Sequence, residues 1–144
     1  MKRITVLLVC MLSLILMSQA QIETPAPSPS AKIEQKVGLT DISVSYSRPG
    51  MKGRTIFGDL VPFDKIWRTG ANAATTITFS DDVKVGGKEV PAGTYAIYTK
   101  PGKSEWTVMI YKNTSLGGNV GAYKEEEELT RFTAKVEKMP FKVE

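Results

Sequence analysis

From Ile42 onward apolar and polar residues alternate one for one, the period of strands that bury a single face. Ile42, Val44 and Tyr46 share one side of the chain, with Ser43, Ser45 and Ser47 on the other. Thr75, Ile77 and Phe79 oppose Thr76 and Thr78; Val83 and Val85 run through Gly86-Gly87 into Lys88–Val90, which reads as a tight hairpin. Tyr95 and Ile97 alternate with Ala96 and Tyr98; Trp106, Val108 and Ile110 follow the turn at 101–104, and Phe132, Ala134 and Val136 mark a last strand. No helical window interrupts them. The pattern predicts an all-β fold, an antiparallel β-sandwich or open barrel, with one long loop between the first two strands (42–48 and 75–79).

The first residues read as an address. Lys2 and Arg3 precede an uncharged, mostly apolar run from Ile4 to Met17, and Ser18-Gln19-Ala20 offers small residues for cleavage after Ala20. That is the layout of a secretory signal peptide, too short for a spanning helix. Export to the periplasm or the outside follows as an expectation, with no membrane span after cleavage. Cys10 lies mid-run behind Leu7, Leu8 and Val9, which does not suit a lipid-anchored cysteine. Residues 21–36, with Pro25, Pro27 and Pro29 between small residues, read as a flexible linker, and 37–144 as a single β-rich domain.

Charge and composition exclude more than they identify. The chain carries 19 basic and 15 acidic residues, two of the basic ones in the leader, so the exported part has a net charge of 17 − 15 = +2. No nucleic-acid footprint emerges from that balance. Histidine is absent and the lone cysteine is Cys10. Catalysis that depends on Ser-His-Asp, Cys-His or histidine proton transfer is therefore excluded, as is thiolate or imidazole zinc. The sequence implies no cofactor and no metal site. Glu125 to Glu128 reads as a solvated turn or strand entrance, because neighbouring acids on a strand point to alternate faces.

Four stretches stand out together: Ser45-Tyr-Ser-Arg-Pro-Gly-Met-Lys-Gly-Arg54, Ile56-Phe-Gly-Asp-Leu-Val-Pro62, Trp67-Arg-Thr-Gly-Ala-Asn72, and Val85-Gly-Gly with Pro91-Ala-Gly-Thr-Tyr95 ahead of Glu105-Trp106. With them the chain resembles an exported bacterial family common in Bacteroidetes, domain-of-unknown-function family 2911. The resemblance implies a β-rich envelope domain from about residue 42 on and supplies no activity. It also implies further strand residues beyond Glu144, so that the chain is C-terminally truncated and its last strand edge, from Phe141, is open to pairing with another chain.

The candidate site residues fall in the same block: Tyr46, Arg48, Trp67, Arg68 and Asn72. Strand alternation aims Arg48 inward beside Tyr46, where a guanidinium needs a carboxylate, a carbonyl or an anionic ligand. Arg68 stands between Trp67 and a turn, and Asn72 can bond that turn or a ligand. One reading is a non-catalytic envelope module that takes a glycan, a peptide or a small anion there. A second is a hydrolase or lyase in which Asp59 with Asp64 or Glu105 supplies acid and base. A third is purely structural: Arg48 and Arg68 pair with Asp59, Asp64 or Glu105 and lock the long loop. Trp67 and Trp106 suit either core packing or a platform for a sugar ring.

Overall fold

The computed structural model describes residues 24–137 and 139. The leader expected over 1–20 and the C-terminal strand edge expected from Phe141 lie outside these residues. Eight strands follow in order: β1 (Ser30–Val37), β2 (Thr40–Ser47), β3 (Thr75–Phe79), β4 (Val83–Val85), β5 (Lys88–Val90), β6 (Gly93–Lys100), β7 (Glu105–Tyr111) and β8 (Glu128–Lys135). Only two single-turn 3-10 segments, Val120–Ala122 and Glu125–Glu127, break the all-β pattern among the described residues. Six strands form one antiparallel sheet in the order β1-β2-β3-β6-β7-β8, and β4-β5 form a separate hairpin. The sheet stays open, with β1 and β8 at its edges.

Period-two alternation gives this sheet two apolar faces with different covers. On one, Ile42, Ile77, Phe79, Tyr95, Ile97 and Ile110 pack against Val83, Val85 and Val90 of the hairpin. The hairpin turns at Gly86 and Gly87, both at positive φ (57° and 82°), as a two-residue turn of this hand requires. Gly86 also lies against Phe132 of β8: a Cβ there would come within 2.9 Å of the ring. On the opposite face Ala74, Ala96, Tyr98, Met109 and Tyr111 are covered by Ile66, Leu116 and Tyr123 from loops. Val90, Ala96 and Tyr98 are fully buried, each worth roughly 1–3 kcal/mol of transfer free energy by size.

The loop-covered face ends in a polar corner. Tyr98, Tyr111 and Tyr123 pack with ring centroids 4.4–5.4 Å apart. The Tyr98 hydroxyl donates to the Gly117 carbonyl (2.9 Å), and the Tyr123 hydroxyl donates to Glu128 Oε1 (2.8 Å). Glu128 accepts in turn from Arg131 Nε (2.8 Å) and Nη2 (2.6 Å). Burial opposes ionisation of Glu128, yet the bonds from Arg131 and Tyr123 outweigh it and hold the carboxyl below its ordinary value. The entrance to β8, read from the acid run as merely solvated, is thus tied at its last glutamate.

β1 departs from the composition-based reading. From Ser30 onward the 21–36 stretch is strand, paired with β2 without a break from Ser30↔Ser47 to Val37↔Thr40. Its side chains are almost all exposed, and Gln35 breaks the alternation of Ala31, Ile33 and Val37 with charged residues; the backbone of β2 holds it in place. With β1 counted, the long loop joins β2 to β3 and runs from Arg48 to Ala74.

Candidate functional site

That long loop and the end of β2 line an open cleft of about 1170 Å³, somewhat larger than most small-molecule sites. β3 begins only at Thr75, which leaves β6 without a neighbour on that side beyond Ile97. Trp67 fills the gap: its N–H donates to the Thr99 carbonyl (2.8 Å) and its carbonyl accepts from the Thr99 N–H (2.9 Å). An extended backbone there sends neighbouring side chains to opposite faces. Trp67 meets Phe57 and Trp106 edge-on, with centroids 5.9 and 6.2 Å away. Arg68 goes the other way, toward Tyr98 and Gly118. Trp106 is packing in this trio and does not line the cleft, whereas Trp67 and Phe57 do both.

The turn after Arg68 is strained. Thr69 sits at φ 58° and Asn72 at φ 59°. Positive φ is unusual for a β-branched residue and costs roughly 1–3 kcal/mol. Thr75 Oγ1 donates to the Thr69 carbonyl at 2.8 Å and holds the turn in that shape.

Four of the five residues singled out in the sequence, Tyr46, Arg48, Trp67 and Arg68, line the cleft together. Asn72 does not. Its side-chain amide donates weakly to the Ser28 carbonyl (3.3 Å) and to Ser47 Oγ (3.4 Å), so it ties the turn to the cleft wall instead of facing a ligand.

Arg48 corrects the expectation of a buried guanidinium. β2 ends at Ser47, Arg48 is exposed, and Pro49 terminates the ladder after the Arg48 N–H has bonded the Pro29 carbonyl (2.9 Å). Its side chain stands at the cleft rim in water and needs no protein partner. The loop-locking reading is corrected as well. Ion pairs among the described residues join Lys32 to Glu34, Lys36 to Asp41, and Arg131 to Glu125 and Glu128. None involves Arg48 or Arg68.

Two residues that sequence reasoning passed over complete the cleft, Arg54 and Lys65. Among the described residues the wall therefore carries Arg48, Arg54, Lys65 and Arg68 and no carboxylate: Asp59, Asp64 and Glu105 all lie off it. A usable signal was present, since residues 48–68 hold five cations against two acids. Arg54 is partly committed, with Nε donating to the Met51 carbonyl (3.0 Å) and Nη2 to the Gly50 carbonyl (2.8 Å). Arg68 has no hydrogen bond or ion pair from its side chain among the described residues. Its Nε is buried without a hydrogen-bond partner, and Gly118 leaves the room it occupies, because a Cβ there would lie within 2.2 Å of Nη1. The nearby phenol of Tyr98 is pushed up by burial and by Tyr111, with the Arg68 charge acting the other way.

Chemically, such a wall can hold an anion and an adjoining apolar or ring-shaped part. The family model described as "Protein of unknown function (DUF2911)" matches residues 28–144. No curated protein and no solved structure matches the chain. With that match spanning the sheet, the hairpin and every residue of the cleft, the chain belongs to the DUF2911 family.

Proposed function

We propose that this chain is an exported, non-catalytic binding module of the bacterial envelope that takes an anionic ligand in the cleft between the long loop and the end of β2. One observation carries the reading: among the described residues four cationic residues share a wall without a carboxylate, and one of them, Arg68, has a buried Nε without a hydrogen-bond partner. A guanidinium so placed loses water without a compensating bond, which an incoming carboxylate, phosphate or sulfate oxygen supplies. Arg68 is the seat of the anion, Arg48 and Lys65 add charge at the rim, and Tyr46, Phe57 and Trp67 offer apolar contact. The carboxylate-pair reading gains no support from a cleft whose wall contains none of Asp59, Asp64 and Glu105.

Thermal shift with inorganic phosphate, sulfate, citrate and acidic oligosaccharides tests this. A ligand at 100 times its dissociation constant stabilises the fold by about 2.7 kcal/mol. The stabilisation should shrink with added salt and vanish in Arg68→Gln. If no anion shifts the melting of the wild type, or if Arg68→Gln responds as the wild type does, the proposal fails.

A further inference from the structure

We propose that the edge of β1, unpaired among the described residues, is a self-complementary interface through which two copies of this chain join their sheets into one. The inference is independent of the cleft's ligand and rests on the backbone parity and side-chain order of β1.

The two edges of the sheet differ. β8 is blunted: its register slips at Ile110/Tyr111, Gly86 of the hairpin rests on Phe132, and Thr130 Oγ1 donates to the Val85 carbonyl (3.2 Å). β1 is long, regular and without proline or bulge. Its apolar residues are left open, Ile33 at 55% exposure, Val37 at 57% and Leu39 in the following turn at 90%.

Parity decides which backbone groups are available. The Arg48 N–H bonds the Pro29 carbonyl, which makes 29/48 a hydrogen-bonded pair; by alternation so are 31/46, 33/44, 35/42 and 37/40. Independently, the Ser80 N–H bonds the Asp41 carbonyl, so Asp41 faces β3 and Ile42 faces β1. The N–H and C=O groups of Ser30, Lys32, Glu34 and Lys36 therefore point away from the sheet. The Lys36 carbonyl already accepts from the side-chain amide of Gln35 at 3.1 Å, as an outward acceptor would.

An antiparallel pair of β1 strands related by a twofold axis at Gln35 sets Glu34 opposite Lys36 twice and Ile33 opposite Val37 twice. Glu34 and Lys36 are the outward-pointing residues, so the two charged pairs coincide with the hydrogen-bonded pairs of the new ladder. Both apolar pairs lie on the face that carries Ile42 and Val44. An axis one residue earlier would set Glu34 on Glu34 once and Lys32 on Lys36 twice, three like-charge contacts, so the charges disfavour that register. The partner that fits is a second copy of this chain.

Sedimentation of the purified protein over a concentration series should show the mass rise from one chain to two. Glu34→Lys alone sets Lys on Lys, and Lys36→Glu alone sets Glu on Glu; each should remain a monomer with unchanged circular dichroism. Mixed one to one, the two variants regain both opposite-charge pairs and should form a heterodimer. A wild type that stays single at all concentrations, a dimer that survives either substitution, or a mixture that stays monomeric would each overturn the proposal.

Discussion

At the entrance to β8, Arg131 forks onto Glu128 with two short bonds and reaches Glu125 at 3.3 Å, while in the cleft Arg68 makes no ion pair among the described residues. Both guanidiniums lie near the tyrosine cluster of the same face. The difference is local supply. Arg131 has an acid three residues back, and Arg68 has Trp67, Thr69 and Gly70 around it. Carboxylates fasten Arg131 and backbone carbonyls fasten Arg54, whereas the buried Nε of Arg68 has no hydrogen-bond partner among the described residues. On the proposed function, that separates a holding arginine from a receiving one within a single small domain.

The comparison breaks most visibly at Glu128. Glu128→Ala strands Arg131 and the Tyr123 hydroxyl together and should cost about 2–3 kcal/mol in urea unfolding. A loss below about 0.5 kcal/mol would show that the fork holds nothing. Protons should do the same reversibly. The Glu128 carboxyl lies below its ordinary 4.5, so between the two values the unfolded chain binds more protons than the folded one. Its contribution is complete above about pH 4.5 and lost as pH falls through the depressed value, a slope that Glu128→Gln should flatten. Tyr98 and Tyr123 work at the other end: burial raises both from 10.0, so their contribution declines as pH climbs past 10.

Arg68→Gln should behave in the contrary way to Glu128→Ala. With no bond to lose and a buried Nε removed, unliganded stability should move by less than about 1 kcal/mol in either direction, while the response to anions disappears. An Arg68 variant that fails to fold would reassign it to the holding class. The gentlest change is Gly118→Ala, whose methyl displaces only the flexible end of Arg68. Stability should fall by under about 1 kcal/mol and anion affinity by several-fold, and unchanged affinity would place the anion elsewhere on the wall.

Much of this fold was legible because the information is local. Strands β2, β3, β6 and β7 announce themselves by alternation, and Gly86-Gly87 fixes the hairpin through the only residue at ease with two consecutive positive φ angles. β1 was passed over because its apolar side, Ala31, Ile33 and Val37, is short and broken by Gln35, in a stretch whose prolines upstream suggest a linker. In the site, Trp67 and Arg68 were readable as unusual residues in an unusual turn. The empty side of Arg68 was not, because the glycine that makes room lies fifty positions later in a loop with no periodic signal. Arg48 misled by simple extrapolation: alternation predicts a direction only while the strand continues, and Pro49 stops it one residue too soon.

The two bonds from Arg54 to the carbonyls of Gly50 and Met51 have a kinetic corollary. They hold the 50–54 turn closed, so on the proposed binding role a ligand would meet a wall already in shape and association would need no slow rearrangement. A bulkier visitor that recruits this side chain must first undo its grip on the turn. Residence time would then report which of the two a molecule does, even where equilibrium affinities coincide.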